Sequence, residues 1–290
     1  MIKTSKSVAR WSIWKLLDLS PVTGITLLPS RLAGRRQDLS RAALSFVDIA
    51  LRNAHPWVMP TTPRARARAQ TMTDIVRIGR DHLAVHGAAA LSLRAVARDL
   101  GVVSSAVYRY VRSRDELLTL LVVDGYNALG DAVDAAVATA GDDPIERFRV
   151  VGRAVRAWAL AEPARYGLLF GTPVPGYDAP AEQTTTPGVR VIVAIIGSID
   201  EAYRAGLLTQ PKNPAPISSA LAQNFAAIRT EFGIDIPDWL VARTISVWSG
   251  LFGAVSADVF DMYGQDTFVD RAEIFELQLE ALLATLGYQG

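Results

Sequence analysis

Residues 91–111 read LSLRAVARDLGVVSSAVYRYV and decide the fold of the first part of the chain. The first half has a helical period, and its apolar face is formed by Val96, Ala97 and Leu100. Gly101 then permits a tight turn, and Val102 is expected to fill the space between two helices. The second half is anchored by the apolar residues Val107 and Val111. The pattern predicts two short helices that cross steeply.

The second of these helices leaves a small, polar face pointing outward, formed by Ser104, Ser105, Ala106, Tyr108 and Arg109. Small polar side chains at the start of a helix can approach base edges in the major groove of DNA. An ordinary helical hairpin has the same spacing, because glycine-centred turns are common. DNA binding is favoured by the flanking arginines, which are Arg64, Arg66, Arg68, Arg94, Arg112 and Arg114.

Helical signals continue to the end of the chain. Ser113 and Glu116 form a capping box that opens a long helix to about residue 140, and Asp143 and Pro144 open another to about residue 161. Further helices are predicted at 74–86, 163–170, 187–206, 217–232, 237–263 and 268–286, with a loop at 171–186. No stretch alternates convincingly at period two. The predicted fold is all-α, a three-helix helix-turn-helix domain followed by a helical bundle.

The charge of the chain is divided unevenly. Residues 59–122 carry ten Lys and Arg and five Asp and Glu, whereas residues 123–290 carry eleven and twenty-one. A basic segment followed by an acidic one is typical of a polyanion-binding head on an acidic body. We therefore predict a DNA-binding domain at 59–122 and a ligand-binding and dimerisation domain at 123–290. Residues 1–58 are predicted to be a poorly ordered extension, or sequence upstream of the true start codon.

Composition excludes several classes of function. The chain has no cysteine, so disulfides and cysteine-ligated metals are ruled out. It has no Walker, nucleophile-elbow or Rossmann motif, and we predict no catalytic residue and no cofactor. The longest apolar run, at 191–196, is too short to span a bilayer, so we expect a cytoplasmic protein. His82 and His86 have a zinc-compatible spacing but no third ligand, so we interpret them as a structural pair.

The motif LRAVARDLGV at 93–102, followed by VYRYV at 107–111 and SRDELL at 113–118, resembles the DNA-binding domain of the tetracycline-repressor (TetR) family. The resemblance implies phosphate contacts by Ser92, Tyr108 and Arg114. It implies base-edge contacts by Arg94, Ser104, Ser105 and Ala106, while Arg109 could make either kind. It further implies an N-terminal arm that reaches the DNA backbone or minor groove, formed by Arg64, Arg66 and Arg68. Val103 departs from the family, where a small polar residue is common.

Residues 156–176 resemble one class of TetR-family C-terminal domain, which carries a Trp, a His and a Gly in its penultimate helix. Trp248 and Gly253 match that signature, whereas Phe252 stands where the histidine is expected. The resemblance implies a small-molecule pocket, with wall residues Trp158, Tyr166, Phe170, Tyr177, Phe225, Trp248 and Phe252. The alternative is that these aromatic residues only fill the core, as most buried aromatics do.

The last two long helices carry apolar stripes formed by Trp239, Trp248, Leu251, Val255, Val259, Ile274, Leu277 and Leu282. In the TetR family these helices pair across a two-fold axis, while the alternative is packing within one subunit. We favour the interface, because a palindromic operator requires a dimer. The implied function is a repressor released from operator DNA by a small apolar effector. The alternative function is a helical carrier or enzyme for an apolar metabolite, which would lack salt-dependent DNA binding.

Overall fold

The computed structural model describes residues 62–264 and 266–290, and every regular element in those ranges is helical. The prediction for residues 1–58 lies outside the described residues. The α-helices are α1 Pro63–His86, α2 Leu93–Asp99, α3 Ser104–Val107, α4 Arg114–Val137, α5 Pro144–Ala161, α6 Pro163–Phe170, α7 Ala181–Gly188, α8 Arg190–Arg204, α9 Ser219–Phe232, α10 Asp238–Val259 and α11 Arg271–Leu286. A short 3-10 helix, Ala88–Ala90, lies between α1 and α2. The all-α prediction is confirmed.

Helix α1 begins eleven residues earlier than the sequence pattern predicts. Thr62 is its N-cap, and its hydroxyl oxygen accepts a hydrogen bond from the Ala65 amide at 3.2 Å. Pro63 occupies the first turn, where a missing N–H costs nothing because that amide has no partner within the helix. The N-terminal arm that the resemblance implies is therefore helical in this structure. Its arginines lie on the first two turns of α1, and all three are exposed: Arg64, Arg66 and Arg68.

The helix-turn-helix forms as predicted, with one correction. The apolar anchors are almost fully buried: Val96, Ala97, Val107 and Val111. Gly101 takes a φ of 75°, which suits glycine, and the Val102 amide then donates to the Ala97 carbonyl at 3.0 Å. Val102 does not fill the space between the helices, since 40% of it is exposed. The closing hydrogen bond fixes its backbone, and its side chain remains at the surface.

The predicted caps explain where the body helices start. The Ser113 hydroxyl accepts from the Glu116 amide at 3.1 Å, and Asp143 accepts from the Ile145 amide at 2.9 Å. In a capping box, the Glu116 carboxylate is expected to accept from the Ser113 amide. Here it accepts instead from the Arg112 amide, one residue earlier, at 2.6 Å. Local hydrogen bonding therefore sets both starts, as the sequence indicates.

The body is built around α4, which packs against α5, α6, α7 and α8. Helix α5 in turn contacts α10 and α11. The predicted loop at 171–186 is wrong in its second half, which enters α7. The Pro180 carbonyl accepts from the Gln183 and Thr184 amides and so closes the first turn of that helix. Pro187 near its end is tolerated within a helix of eight residues.

Helix α10 is long and apolar enough to cross a membrane by length and composition alone. Its apolar residues are instead buried in the protein core: Leu240, Val247, Leu251 and Val255. It is therefore a core helix of the body, packed mainly against α5 and α11. Leu251 and Val255 were expected at a subunit interface, and that assignment is wrong because both are fully buried within one chain.

Candidate nucleic-acid interface and effector region

The outward face of the helix-turn-helix is polar and accessible. Ser105, Tyr108 and Arg109 are exposed on or directly after α3, and Arg94 is exposed in the first turn of α2. Ser104 and Ala106 are half-buried. The opposite side of α3 is fixed by buried Val107. A buried apolar anchor therefore presents small polar side chains to solvent, the type of face with which recognition helices enter the major groove of DNA.

Ser92 occupies the N-cap position of α2 but makes no capping hydrogen bond. Its hydroxyl is half-buried and is not engaged with the first amides of the helix. Phosphate oxygens commonly accept hydrogen bonds from hydroxyls and free amides at such helix starts. The phosphate contact of Ser92 stays a prediction, at a helix start where its hydroxyl makes no capping bond.

Arg114, which is predicted to contact phosphate, also makes contacts within the protein. Its Nη2 donates to the carbonyl oxygens of Ala88 at 2.9 Å and Ala89 at 3.2 Å. It also lies 3.7 Å from the Asp115 carboxylate. The guanidinium thus connects the start of α4 to the segment between α1 and α2. Its structural role is to hold the helix-turn-helix against the long linking helix.

Four of the aromatic residues predicted to line a pocket form one cluster in the body. The Trp248 and Phe252 rings lie 4.3 Å apart, those of Phe252 and Phe170 4.5 Å, and those of Phe170 and Tyr166 5.2 Å, measured between centroids. The Tyr126 ring on α4 lies 6.2 Å from that of Phe170 and extends the cluster to the helix that links the head to the body. We call these five residues the aromatic array. It joins α4, α6 and α10.

The polar ends of the array are tightly enclosed. The Tyr166 hydroxyl donates to the Phe252 carbonyl at 3.2 Å and lies 2.8 Å from the Ser256 hydroxyl. Burial raises the pKa of Tyr166 to about 12 and that of Tyr126 to about 12. Both phenols therefore stay neutral near pH 7. In a site lined by these groups, recognition would combine apolar contact with hydrogen bonds to neutral hydroxyls.

The other three predicted wall residues lie in separate contacts. Trp158 packs under the guanidinium of Arg165, with the ring centroid 5.6 Å away. The Tyr177 hydroxyl lies 3.0 Å from that of Thr119, and burial raises the pKa of Tyr177. Phe225 is buried on α9. All three are core side chains in this structure. Trp158, through Arg165, and Tyr177, through Thr119, connect to α4.

A shallow cleft lies between the last two helices. Its volume is about 280 Å³, and its lining is made mainly of small residues: Gly250, Gly253, Ala254, Tyr263, Gln278, Ala281 and Leu282. Leu277 on α11 is 62% exposed. A Cβ added at Gly253 would meet nothing within 4 Å, so the cleft is open on that side. Small and apolar residues on one face permit close approach of another helix.

Two family models together match most of the described chain. One, described as bacterial regulatory proteins, tetR family, matches residues 75–121. The other, described as tetracyclin repressor-like, C-terminal domain, matches residues 148–282. The chain belongs to the TetR family. It is accordingly a DNA-binding transcriptional regulator with a helix-turn-helix.

Relatives agree with this assignment. HTH-type transcriptional regulators of Mycobacterium tuberculosis and Mycobacterium bovis are each 46% identical over 227 residues, which is 77% of this chain and 95% of theirs. The crystal structure of a regulatory protein shares 34% identity with a TM-score of 0.62, covering 77% of this chain and all of the other. A tetR-family protein from Rhodococcus, with 16% identity and a TM-score of 0.52, covers 75% and 97% of the two chains and shows the same fold.

Two further residues lie at the exposed face of this TetR-family head and were not chosen as site residues from the sequence. Val103 is 72% exposed at the N-cap of α3, where an apolar side chain can contact a thymine methyl group. Tyr110 lies under the Arg68 guanidinium, 5.1 Å from its ring centroid, and so positions that arginine. Exposed valine gives no signal in a hydrophobic pattern. The contact of Arg68 depends on α1 being helical from Pro63, which the pattern did not predict.

The predicted structural role of His82 agrees with its contacts in the TetR-family head. Its Nε2 lies 2.5 Å from the Asp99 carboxylate, which joins α1 to the end of α2, and its ring meets that of His86 edge-on at 5.9 Å. Hydrogen bonds from His82 and then Arg98 hold the pKa of the Asp99 carboxyl below its ordinary value. No cluster of three metal-ligating side chains occurs among residues 62–264 and 266–290.

This pair predicts an acid-dependent stability of the head. A carboxyl whose pKa is lowered by folding stabilises the native state above its unfolded pKa of about 3.9, and loses that contribution as the pH falls through the lowered value. We expect Asp99→Asn to melt below the wild type at pH 7, and the difference to shrink toward pH 3. Melting curves of both proteins across this range measure it. A difference that stays constant down to pH 3 would contradict the assignment.

Proposed function

We propose that the protein is a repressor that binds a palindromic operator as a homodimer in the cytoplasm and is released by a small apolar effector. The observation that carries this proposal is the exposed polar face of α2 and α3 on a fully buried apolar anchor. The aromatic array supplies the effector region, and the cleft of α10 and α11 supplies the dimer face. The protein then acts by binding and performs no catalysis.

The DNA contacts are divided by their chemistry. We assign phosphate contacts to Ser92 and Tyr108, and to the exposed arginines on the first turns of α1, namely Arg64, Arg66 and Arg68. We assign base edges to Arg94, Ser104, Ser105 and Ala106, with Arg109 suited to either. Arg114 contributes by holding the head in place, since its guanidinium is engaged with two carbonyls. Phosphate contacts give affinity, whereas base contacts give sequence preference.

Arg94→Ala tests the proposal most directly. We expect it to relax the preference at one base pair of each half-site and to cost about 1–3 kcal/mol there, because a bidentate arginine–guanine contact is worth that much. The measurement is equilibrium binding of full-length protein to a randomised DNA library. The matched control is Arg98→Ala on the same helix, whose guanidinium is exposed but already bonded to Asp99 at 3.2 Å.

One outcome would change the role of Arg94, and another would favour the carrier alternative over the proposed function. A uniform loss of affinity for Arg94→Ala, with no change in sequence preference, would place this residue on phosphate instead. Wild-type protein that shows no salt-dependent DNA binding would overturn the repressor function itself, because charge neutralisation of phosphates makes binding fall steeply with salt. A carrier with a vestigial head is expected to behave in that second way.

The effector is expected to bind at the aromatic array. Phe170 and Trp248 are partly exposed there, whereas Tyr166 is fully buried. A Cβ added at Gly167 would be 3.8 Å from the Phe260 ring, an ordinary contact, so the walls leave a little room at that point. An apolar molecule would gain contact with several rings by separating them. Because Tyr126 belongs to α4, such a movement of the rings would also displace α4, the helix that links the body to the head.

A further inference from the structure

The carboxylate of Asp124, on α4, contacts one arginine from the head and one from the body. Arg165 from α6 places its Nη2 at 2.7 Å from Asp124 Oδ2 and at 3.0 Å from the Asp124 carbonyl oxygen. Arg80 from α1 places its Nη1 at 3.9 Å from the same Oδ2. Helix α1 belongs to the DNA-binding head, and α6 belongs to the body. One side chain therefore receives a contact from each side of the junction.

Arg165 is a fixed partner in this group. It is 94% buried, as its exposed fraction is only 6%. Its Nη1 lies 3.6 Å from the Glu162 carboxylate, and the Trp158 ring covers one face of its guanidinium. Its Nε has no hydrogen-bond partner within the described part of the chain. A buried charge of this kind holds its carboxylate strongly, because separation would leave the buried guanidinium without its nearest partner.

Arg80 is more exposed than Arg165 and lies farther from the shared carboxylate. Its side chain is 37% exposed, and its contact with Asp124 is long, so the pair contributes little to the stability of the fold. Its position is what matters, since α1 packs against both α4 and α6 while it also carries α2. A small rotation of α1 about this junction would move the recognition surface of α3, which packs on α2.

We propose that Arg80 is a positioning residue that sets the orientation of the head relative to the body through Asp124, and thereby the separation of the two recognition helices in the dimer. Arg165 extends this contact to Trp158, a residue of the body, and so gives the body a direct path to the head. The inference rests on the proposed function, because it requires two heads on one operator. Its consequence is a preference for one spacing between half-sites.

The test compares two charge-removing variants on the same helix. Arg80→Gln removes the contact across the junction, whereas Arg77→Gln removes an arginine whose ion pairs within the described part of the chain are with Asp74 and Asp81 of α1 itself. The DNA is the duplex that full-length wild type selects from a random pool, together with duplexes in which the half-site spacing is changed by one or two base pairs. Affinity is measured for each duplex, and melting temperature for each protein.

We expect Arg80→Gln to lose about five- to tenfold in affinity at the selected spacing and much less at the altered spacings. Arg77→Gln should weaken all duplexes alike, and Arg80→Lys should restore most of the spacing preference because it keeps the charge. Equal losses for Arg80→Gln and Arg77→Gln at every spacing would overturn the inference while leaving the repressor function intact. A loss that follows a lower melting temperature would also overturn it. Wild type that selects no paired half-sites would overturn the proposed function instead.

Discussion

Ala281→Arg is expected to be a monomer that has lost more than about a hundredfold of its affinity for palindromic operator DNA. Ala281 is an exposed residue of the cleft between α10 and α11, beside Leu282 and opposite Gly250 and Gly253. Across a two-fold axis, one substitution places two arginines in the same interface. Joining two heads in one dimer raises the affinity for a paired site by about 10²–10⁴ over that of a single head. A monomer loses this gain, so operator binding falls far more than binding to a single half-site.

Sedimentation equilibrium and operator titration measure the two parts of this prediction. Ala157→Arg is the matched control, because Ala157 is an exposed alanine of α5 outside the cleft and receives the same added charge. The control should remain dimeric with nearly unchanged affinity. If Ala281→Arg stays dimeric and binds operator like the control, the cleft is not the dimer face.

The second large effect is expected for Gly171→Ala, at the end of α6. A Cβ at this position would lie 2.5 Å from the Gly167 carbonyl oxygen and 3.1 Å from the Gly167 Cα. Both are backbone atoms, so the clash cannot be relieved by rotating a side chain. We expect a loss of about 2–3 kcal/mol in the free energy of unfolding, and a melting temperature lower by roughly 5–10 °C.

Gly197→Ala serves as the control for this substitution. Gly197 also lies in a helix, α8, but a Cβ added there would meet nothing within 4 Å. Alanine should therefore stabilise the protein by about 0.5–1 kcal/mol, because it restricts the unfolded chain and suits the helix interior. Thermal unfolding of the two variants beside the wild type decides the matter. Equal effects of the two changes would show that the backbone at Gly171 shifts to accommodate a side chain.

The sequence predicts the helices well where the signals are local. The caps at Ser113 and Asp143 and the boundaries of α6 are correct because each depends on residues within one turn. The start of α1 was missed because Pro63 is compatible with either a break or a first turn, and only the Thr62 cap decides between them. Pro187 was interpreted as the start of a helix, whereas it lies inside α7, one residue before that helix ends.

For the candidate site, the sequence predicts which helix faces point outward, but not the contacts that hold the helices together. The outward positions on α3 follow from the burial of Val107, which the helical period indicates. The engagement of Arg114 with Ala88 joins residues 26 apart, and the sharing of Asp124 joins α4 to α1 and α6. Contacts of this range depend on how helices pack, which periodicity does not specify. Similarly, the sequence does not show which apolar residues of α10 are core and which are surface, because that depends on where α5 packs against it.

The aromatic contacts also give the protein intrinsic optical reporters. Trp248 stacks near Phe252 within the array, Trp158 lies beneath the Arg165 guanidinium, and Trp239 meets Tyr203 edge-on at 6.3 Å. Indole emission depends on the polarity and charge close to the ring, so these three tryptophans sense three different surroundings. Two of them belong to the groups through which we expect an effector to act. Fluorescence of the unlabelled protein can therefore follow a rearrangement of the body in real time, without an attached dye.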